Sequence, residues 1–221
     1  MIKYYFGPSI FNKISNPYLI CVLTILAIVL HIVGDTHRIF ALANFDLVLI
    51  MLLISDIAQV RIFLFIFAVC LLLSLLNYYQ LFPALTPTFV VVNSILKVAY
   101  FLWGWITVLS TLTKKQKVTG ETISLAVTGY LFIGVICSFV YFSFWEISKD
   151  SFHLSYPRDF ELKSWNLSMY FSLITLTTVG YGDIIPSSRW LMVFASFEAI
   201  TGLIYIAVIV ARLVSLYDSF D

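Results

Sequence analysis

A run of seven residues in the C-terminal third of the chain has the types and spacing that could do chemistry: Thr177-Thr178-Val179-Gly180-Tyr181-Gly182-Asp183. Its two glycines stand at alternate positions, and glycine adopts the left-handed backbone region at little steric cost. A backbone that alternates between the ordinary and the left-handed regions turns successive carbonyl oxygens to one side. Such oxygens can replace the hydration shell of a cation in a narrow pore. The spacing of Gly180 and Gly182 therefore suits a loop whose carbonyl oxygens contact a dehydrated cation.

The segments on either side of this run are suited to holding a loop within a membrane. Residues from Ser164 to about Thr177 predict a short helix, with Ser164 as its N-cap and Glu161 near its positive end. Long apolar runs follow and precede it, from about Glu121 to Trp145 and from about Arg189 to Tyr217. The short helix would point its carbonyl end at the cavity below the loop, which favours a cation there.

The seven residues match the selectivity-filter signature of potassium channels, and residues from about Glu121 to Tyr217 resemble the helix–pore loop–helix module of that family. The whole chain is similar to bacterial six-helix members, although before residue 113 the agreement is in the number of segments. The resemblance implies a K⁺-selective channel whose filter covers residues 178–182. K⁺ would bind to the carbonyls of Thr178, Val179, Gly180 and Tyr181, with Gly182 and Asp183 towards the outer mouth. The side chains of Val179 and Tyr181 would then pack behind the loop.

The composition predicts an all-α membrane protein. The chain is 61% hydrophobic and 11% charged, which is more apolar than a soluble domain of this length. Four apolar segments precede residue 113: about Tyr18–Gly34, Ile39–Ile57, Val60–Tyr79 and Thr88–Leu112. The second is the weakest, because its uninterrupted core is shorter than the about 20 residues of a membrane-spanning helix. We therefore expect an N-terminal domain of four transmembrane helices at 1–112, a basic cytoplasmic linker at 113–120, and a pore domain at 121–221.

One pore loop cannot enclose a pore, so the resemblance implies a homotetramer about a four-fold axis, with K⁺ as the permeant ion and no cofactor. In potassium channels the filter lies near the outer face, so the resemblance implies that both termini are on the cytoplasmic side of the plasma membrane, and a modest excess of basic residues on that side agrees. If the second segment does not span, the N-terminus lies outside. Three linker residues, Lys114, Lys115 and Lys117, are candidates for contact with anionic membrane lipids. A net charge of +1 gives no reason to expect nucleic acid. The chain ends soon after the last segment, so no soluble regulatory domain is expected.

The fourth segment lacks the charges that steep voltage gating requires. Voltage-gated members of the family carry four or more Arg or Lys residues there at three-residue spacing, whereas this chain has Lys97 alone. One charge in each of four subunits supplies at most about 9 kcal/mol per 100 mV, against the tens that such gating uses. We therefore expect no steep voltage gating. Lys97 and Asp46 fall at similar depth and are a candidate ion pair.

The last segment contains candidates for a hinge or gate. Gly202 lies 19 residues after Asp183, where many members of the family have a hinge glycine. The alternative is that Gly202 allows close packing against a neighbouring helix. Tyr205 and Ile209, one and two turns further on, are candidates for cavity lining or an inner gate. Arg212 is expected to extend to lipid headgroups, and the alternative is a role at the inner mouth.

Glu198 is the most unusual residue of the last segment, because a carboxyl within a membrane must be paired, protonated or hydrated. It lies one turn before Gly202 and shares its face. In one interpretation it lies behind the filter or faces the cavity and modulates conduction. In the other it braces the pore helix, through Ser172 or the backbone.

The residue that holds Asp183 at the outer mouth is a separate question. Ile174 occupies a position where some members of the family have a glutamate that binds this aspartate. Trp165 and Tyr170 are the candidates to replace it.

Two other functions are open at this point. A weakly selective cation channel is disfavoured by the intact Val-Gly-Tyr-Gly sequence. A non-conducting sensor or assembly subunit would depend mainly on the first four segments. An enzyme is not expected, because the chain has no cluster of metal ligands at suitable spacing and no arrangement for nucleophilic catalysis.

Overall fold

The structure is a computed structural model, and it describes residues 16–33, 68–70, 72, 86–148, 150–155 and 164–218. Its main elements in chain order are α1 (Pro17–Val33), α2 (Thr86–Lys114), α3 (Gly120–Ile147), β1 (Phe152–Leu154), α4 (Ser164–Leu176), β2 (Ile184–Pro186) and α5 (Arg189–Asp218). The second predicted segment, with Asp46, lies outside the described residues, as does most of the third.

Among the described residues, three helices are long and apolar enough to cross a membrane: α2, α3 and α5. They contain 29, 28 and 30 residues. Helix α1 is also apolar, but its 17 residues lie at the lower limit of about 17–25 for a spanning helix. The predicted ends of the first, fourth, fifth and last segments agree with these helices to within two residues. Four N-terminal transmembrane helices remain a prediction.

Residues 115–119 separate α2 from α3, where the basic linker was predicted. Thr119 begins α3 with a capping box, in which its hydroxyl accepts the N–H of Thr122 and the Thr122 hydroxyl accepts the N–H of Thr119. These bonds satisfy N–H groups that have no partner within the helix. The Nζ of Lys115 lies 2.8 Å from Oε2 of Glu121. The cap and this ion pair together fix the turn between the two helices.

A two-stranded sheet after α3 corrects the prediction of an all-α fold. β1 and β2 are antiparallel, in the register Phe152↔Pro186, His153↔Ile185 and Leu154↔Ile184. The N–H of Ser155 extends the pairing by donating to the carbonyl of Asp183 at 2.9 Å. Strands of three residues are too short to produce a recognisable alternation in the sequence. The sheet joins the segment before α4 to the residues that directly follow the predicted filter.

Helix α4 lies at the centre of the packing. One apolar cluster joins α1, α2 and α3, and Met169 of α4 belongs to it. A second cluster surrounds α4 with side chains of α3, α5 and both strands. Aromatic rings fill much of it: Tyr141 lies edge-on to Phe171 at 4.8 Å, and Trp145 stacks on Phe152 at 4.7 Å. Close packing of this kind holds α4 in one position, which matters because the loop follows directly from it.

Candidate ion-binding loop

The loop from Thr177 to Asp183 has the alternating backbone that its glycine spacing predicted. Gly180 and Gly182 have φ angles of 47° and 78°, and Thr178 has 60°, the one positive value for a non-glycine residue in the described part of the chain. A Cβ atom added at either glycine would meet no atom within 4 Å. The left-handed backbone, and not a lack of space, is therefore what requires glycine here.

Backbone N–H groups bind the loop to the end of α4. Those of Val179 and Gly180 both donate to the carbonyl of Ile174, at 2.9 and 3.1 Å, and that of Thr178 donates to Thr175 at 2.9 Å. The carbonyl oxygens of residues 177–181 accept none of the hydrogen bonds made between described residues. The N–H groups of residues 178–180 are thus hydrogen-bonded to α4, and the carbonyl oxygens remain available as cation ligands.

One side of the loop is open. Every residue from Thr177 to Gly182 is exposed, including Val179 at 52% and Tyr181 at 72%. The expectation that these two side chains pack behind the loop is therefore not met by the described residues of their own chain. A single loop of this kind forms one wall of a site and leaves the opposite side open.

Asp183 is held at the C-terminal end of the loop. The hydroxyl of Tyr170 donates to its Oδ2 at 2.7 Å, and Tyr170 was one of the two candidates predicted for this contact. The structure does not describe the side chain of the other candidate, Trp165. The N–H of Ile184 donates to Oδ1 at 3.1 Å. The Ser155 hydroxyl donates to the carbonyl of Gly182 at 3.3 Å. That carbonyl is engaged, unlike the carbonyls of the four preceding residues.

Gly202 packs directly against the C-terminal end of α4. It is buried, and a Cβ atom there would overlap the carbonyl oxygen of Leu176. The same oxygen accepts a hydrogen bond from the hydroxyl of Tyr130 at 3.1 Å. Close packing, one of the two interpretations, is what the structure shows. Helix α5 continues through Gly202, and a hinge there stays a prediction.

Tyr205 and Ile209 both contact other parts of the chain. The Tyr205 hydroxyl donates to the carbonyl of Ala126 at 2.8 Å, and Ile209 packs against the first apolar cluster. Their contacts are those of structural residues, and the roles in cavity lining or gating stay predictions.

Arg212 does not have the environment predicted for it. Its Nη2 donates to the carbonyl of Thr113 at 2.6 Å and lies 3.4 Å from the carbonyls of Leu112 and Lys115. These oxygens lie at and just beyond the C-terminal end of α2, where most carbonyls lack helical partners and carry partial negative charge. The expected extension to lipid headgroups is therefore wrong, and the signal missed was a helix end within reach of a cation.

Glu198 is buried between α3, α4 and α5, with 3% of its surface exposed. Its Oε1 lies 2.5 Å from the hydroxyl of Ser172, which agrees with the bracing interpretation. Its Oε2 accepts a hydrogen bond from the hydroxyl of Tyr141 at 2.5 Å. The second partner was not predicted, because Tyr141 is 57 residues away in another apolar segment.

Lys97 is likewise buried, on α2. Its Nζ lies 5.3 Å from the centre of the Phe139 ring on α3, a distance suited to a cation–π contact. The predicted partner, Asp46, lies outside the described residues.

Comparisons with known proteins agree with this architecture. Residues 125–218 match a protein-family model described as an ion channel. The potassium voltage-gated channel subfamily A member 10 of Mus musculus and that of Homo sapiens are each 34% identical to the chain over 93 residues. This region is 41% of the chain and spans only 16% of the length of each relative. No solved structure matches the chain significantly. The chain is a membrane protein whose C-terminal part is similar to an ion channel domain, with potassium channels among its relatives.

Proposed function

We propose that this chain forms the pore of a K⁺-selective channel. The observation that carries the proposal is the loop after α4, where left-handed residues alternate at Thr178, Gly180 and Gly182 and the carbonyls of residues 178–181 accept no hydrogen bond from the described chain. The match to an ion channel domain covers this loop. Selectivity for K⁺ is our inference from the loop sequence and from the names of the relatives.

Conduction would follow from the arrangement of these carbonyls. A K⁺ ion entering the loop exchanges its hydration shell for carbonyl oxygens of Thr178 to Tyr181. Several ions in single file repel one another, so that binding is strong enough for entry and weak enough for exit. Asp183, fixed by Tyr170, provides negative charge at the outer entrance.

Four copies of the chain would complete the site. The loop is open on one side, and much of α5 away from α3 and α4 exposes large apolar side chains, among them Phe197, Ile200, Leu203 and Ile204. A homotetramer would place four loops around one axis and would use part of this α5 surface between subunits or around a central cavity.

The remaining features of the proposal concern orientation and gating. Both termini would be cytoplasmic, in the plasma membrane. With Lys97 as the one charge of α2 before its last residue, conductance would depend only weakly on voltage; a steep conductance–voltage curve would contradict this. Binding of anionic lipid at Lys114, Lys115 and Lys117 would compete with the ion pair between Lys115 and Glu121.

Ion flux from liposomes tests the proposal. Purified protein is reconstituted with K⁺ inside and Na⁺ outside, and efflux is followed by the uptake of protons through an ionophore. We expect K⁺ efflux from wild type, little flux when Na⁺ replaces K⁺ inside, and none for Gly180→Ala. Equal K⁺ and Na⁺ flux would indicate the weakly selective channel. No flux from folded tetramers would favour the non-conducting subunit.

A further inference from the structure

The hydrogen bonds around Glu198 define where its proton must lie. Ser172 on α4 has its Oγ 2.5 Å from Oε1 of Glu198 and 2.7 Å from the carbonyl oxygen of Gly134 on α3. A serine hydroxyl has a single proton to donate, and a backbone carbonyl has none. An ionised carboxylate has none either. Both contacts are hydrogen bonds only if Glu198 donates to Ser172 while Ser172 donates to Gly134.

The other contacts of the carboxyl fit the same count. Oε2 accepts a hydrogen bond from the Tyr141 hydroxyl at 2.5 Å, so one oxygen of the acid donates and the other accepts. Each of the three contacts, Tyr141 with Glu198, Glu198 with Ser172 and Ser172 with Gly134, then contains one proton. With an ionised carboxylate, the contact between Ser172 and either Glu198 or Gly134 would bring two acceptors together without a proton.

Among the described residues, no positively charged group faces Glu198. The titratable groups that face it are Tyr130, Cys137 and Tyr141, all from α3, while α4 contributes the Ser172 hydroxyl. Within the part of the chain that the structure describes, the one salt bridge is between Lys115 and Glu121. A carboxylate buried without a counter-charge is strongly unfavourable. The proton count and the charge environment therefore agree.

The same bonds locate α4 relative to the loop. Ser172 lies two residues before Ile174, whose carbonyl accepts the N–H groups of Val179 and Gly180. Glu198 thus connects α5 to the part of α4 on which the loop is fixed, and Ser172 extends the connection to Gly134 on α3. A change at Glu198 would reach the loop through only one turn of helix.

We propose that Glu198 is a protonated carboxylic acid that positions α4, and with it the ion-binding loop, by donating a hydrogen bond to Ser172. Glu198 is a positioning residue, because it does not line the loop. The effect on ion selectivity rests on the proposed function, whereas the protonation does not.

Infrared difference spectroscopy tests the protonation directly. Wild-type protein and Glu198→Gln are reconstituted in lipid at neutral pH, and their spectra are subtracted. We expect the substitution to remove the absorption of a protonated carboxyl. Glu121→Gln is the matched control, since Glu121 is ion-paired with Lys115 and should remove the absorption of an ionised carboxylate. A loss of ionised carboxylate absorption in Glu198→Gln would overturn the proposal.

Ion selectivity tests the positioning role. The amide of Glu198→Gln can donate to Ser172 and accept from Tyr141, so K⁺ over Na⁺ selectivity should stay near the wild-type value. Glu198→Leu loses both bonds, and we expect selectivity to fall about tenfold. If that variant fails to fold, Ser172→Ala decides, since it removes the hydroxyl that contacts both Glu198 on α5 and Gly134 on α3. We expect its selectivity to fall as well.

Wild-type selectivity in both Glu198→Leu and Ser172→Ala would overturn the positioning role. A protonated carboxyl in a wild-type protein that does not conduct would instead contradict the proposed function and leave the protonation in place.

Discussion

At the scale of single residues, the loop depends on backbone conformations that few side chains tolerate. A non-glycine residue in the left-handed region costs on the order of 1–3 kcal/mol and persists only where its surroundings hold it. Thr178 adopts this region between N–H bonds to Thr175 and Ile174 on α4. At the other end, Asp183 is held by Tyr170. Between these two anchors, Gly180 and Gly182 occupy the other positions at which the backbone is left-handed.

Tyr170→Phe should weaken the outer anchor. The substitution removes the 2.7 Å bond to Asp183 and retains the ring, and a hydrogen bond to a charged group contributes about 1.5–3 kcal/mol. Because an ion that binds the folded state stabilises it, we expect K⁺ to raise the unfolding temperature of wild type above its value in Na⁺, and to do so less in the variant.

Thermal unfolding in KCl and in NaCl measures this difference. Tyr18→Phe is the control, since it removes the hydroxyl of an exposed tyrosine on α1, far along the chain from the loop. An identical K⁺-dependent shift in Tyr170→Phe and wild type would show that this bond does not restrain the ion site.

The residue pattern predicted a left-handed backbone at Gly180 and Gly182, because no other residue type adopts that conformation at so little cost. It also suggested Tyr170 for Asp183 and Ser172 for Glu198. It could not predict Tyr141 or Ser155 as partners. Their contacts depend on how distant segments pack, and a hydroxyl within an apolar or loop segment does not indicate which distant group it meets.

At the scale of elements, α4 is a short helix held from three sides. α3 provides Tyr130 and Gly134, α5 provides Glu198 and Gly202, and the sheet closes the outer end. The helix bounds were predictable from apolar runs and from the Thr119 cap, since these signals are local. The sheet was not, because its strands are three residues long and are defined only by pairing with each other.

Gly202→Ala should disturb the packing of α5 on α4. The added Cβ would overlap the carbonyl of Leu176, which is backbone and can move little, and overpacking of this kind costs about 1–3 kcal/mol. Gly134→Ala is the matched control, because its Cβ would meet Leu173 Cδ2 at 3.1 Å. That atom is the end of a flexible side chain, and alanine is the better helix former.

We therefore expect Gly202→Ala to lower the unfolding temperature and Gly134→Ala to change it little, as measured by thermal denaturation of the reconstituted protein. A Gly202→Ala protein as stable as wild type would mean that α5 does not approach α4 as closely as the structure shows.

At the scale of the whole molecule, the C-terminal end of α2 is joined to α5 by a polar contact. Arg212 near the end of α5 donates to carbonyls at the end of α2, most closely Thr113. The sequence contains a basic residue at this depth, but it did not indicate the partner, since which helix end lies within reach of Arg212 depends on how the helices pack. The contact joins α2 to the helix that follows the ion-binding loop.

Arg212→Gln should weaken this attachment. A charged donor at a helix C-terminus contributes about 0.3–2 kcal/mol, so we expect a lower unfolding temperature and greater protease cleavage in the linker at 115–119. The unfolding temperature of Arg212→Lys should lie between those of wild type and Arg212→Gln, because the lysine ammonium keeps the charge but lacks the planar guanidinium with its several N–H donors. Arg189→Gln, an exposed arginine at the start of α5, is the control. Equal cleavage of Arg212→Gln and Arg189→Gln would contradict the attachment.

The central claim is that four copies of the loop select K⁺ through backbone carbonyls. The reversal potential of single channels in planar bilayers, with K⁺ on one side and Na⁺ on the other, tests it most directly, with Gly180→Ala as the comparison. We predict a reversal potential strongly displaced towards that of K⁺ in wild type, with selectivity or current lost in Gly180→Ala. A wild-type reversal potential near zero would contradict the claim.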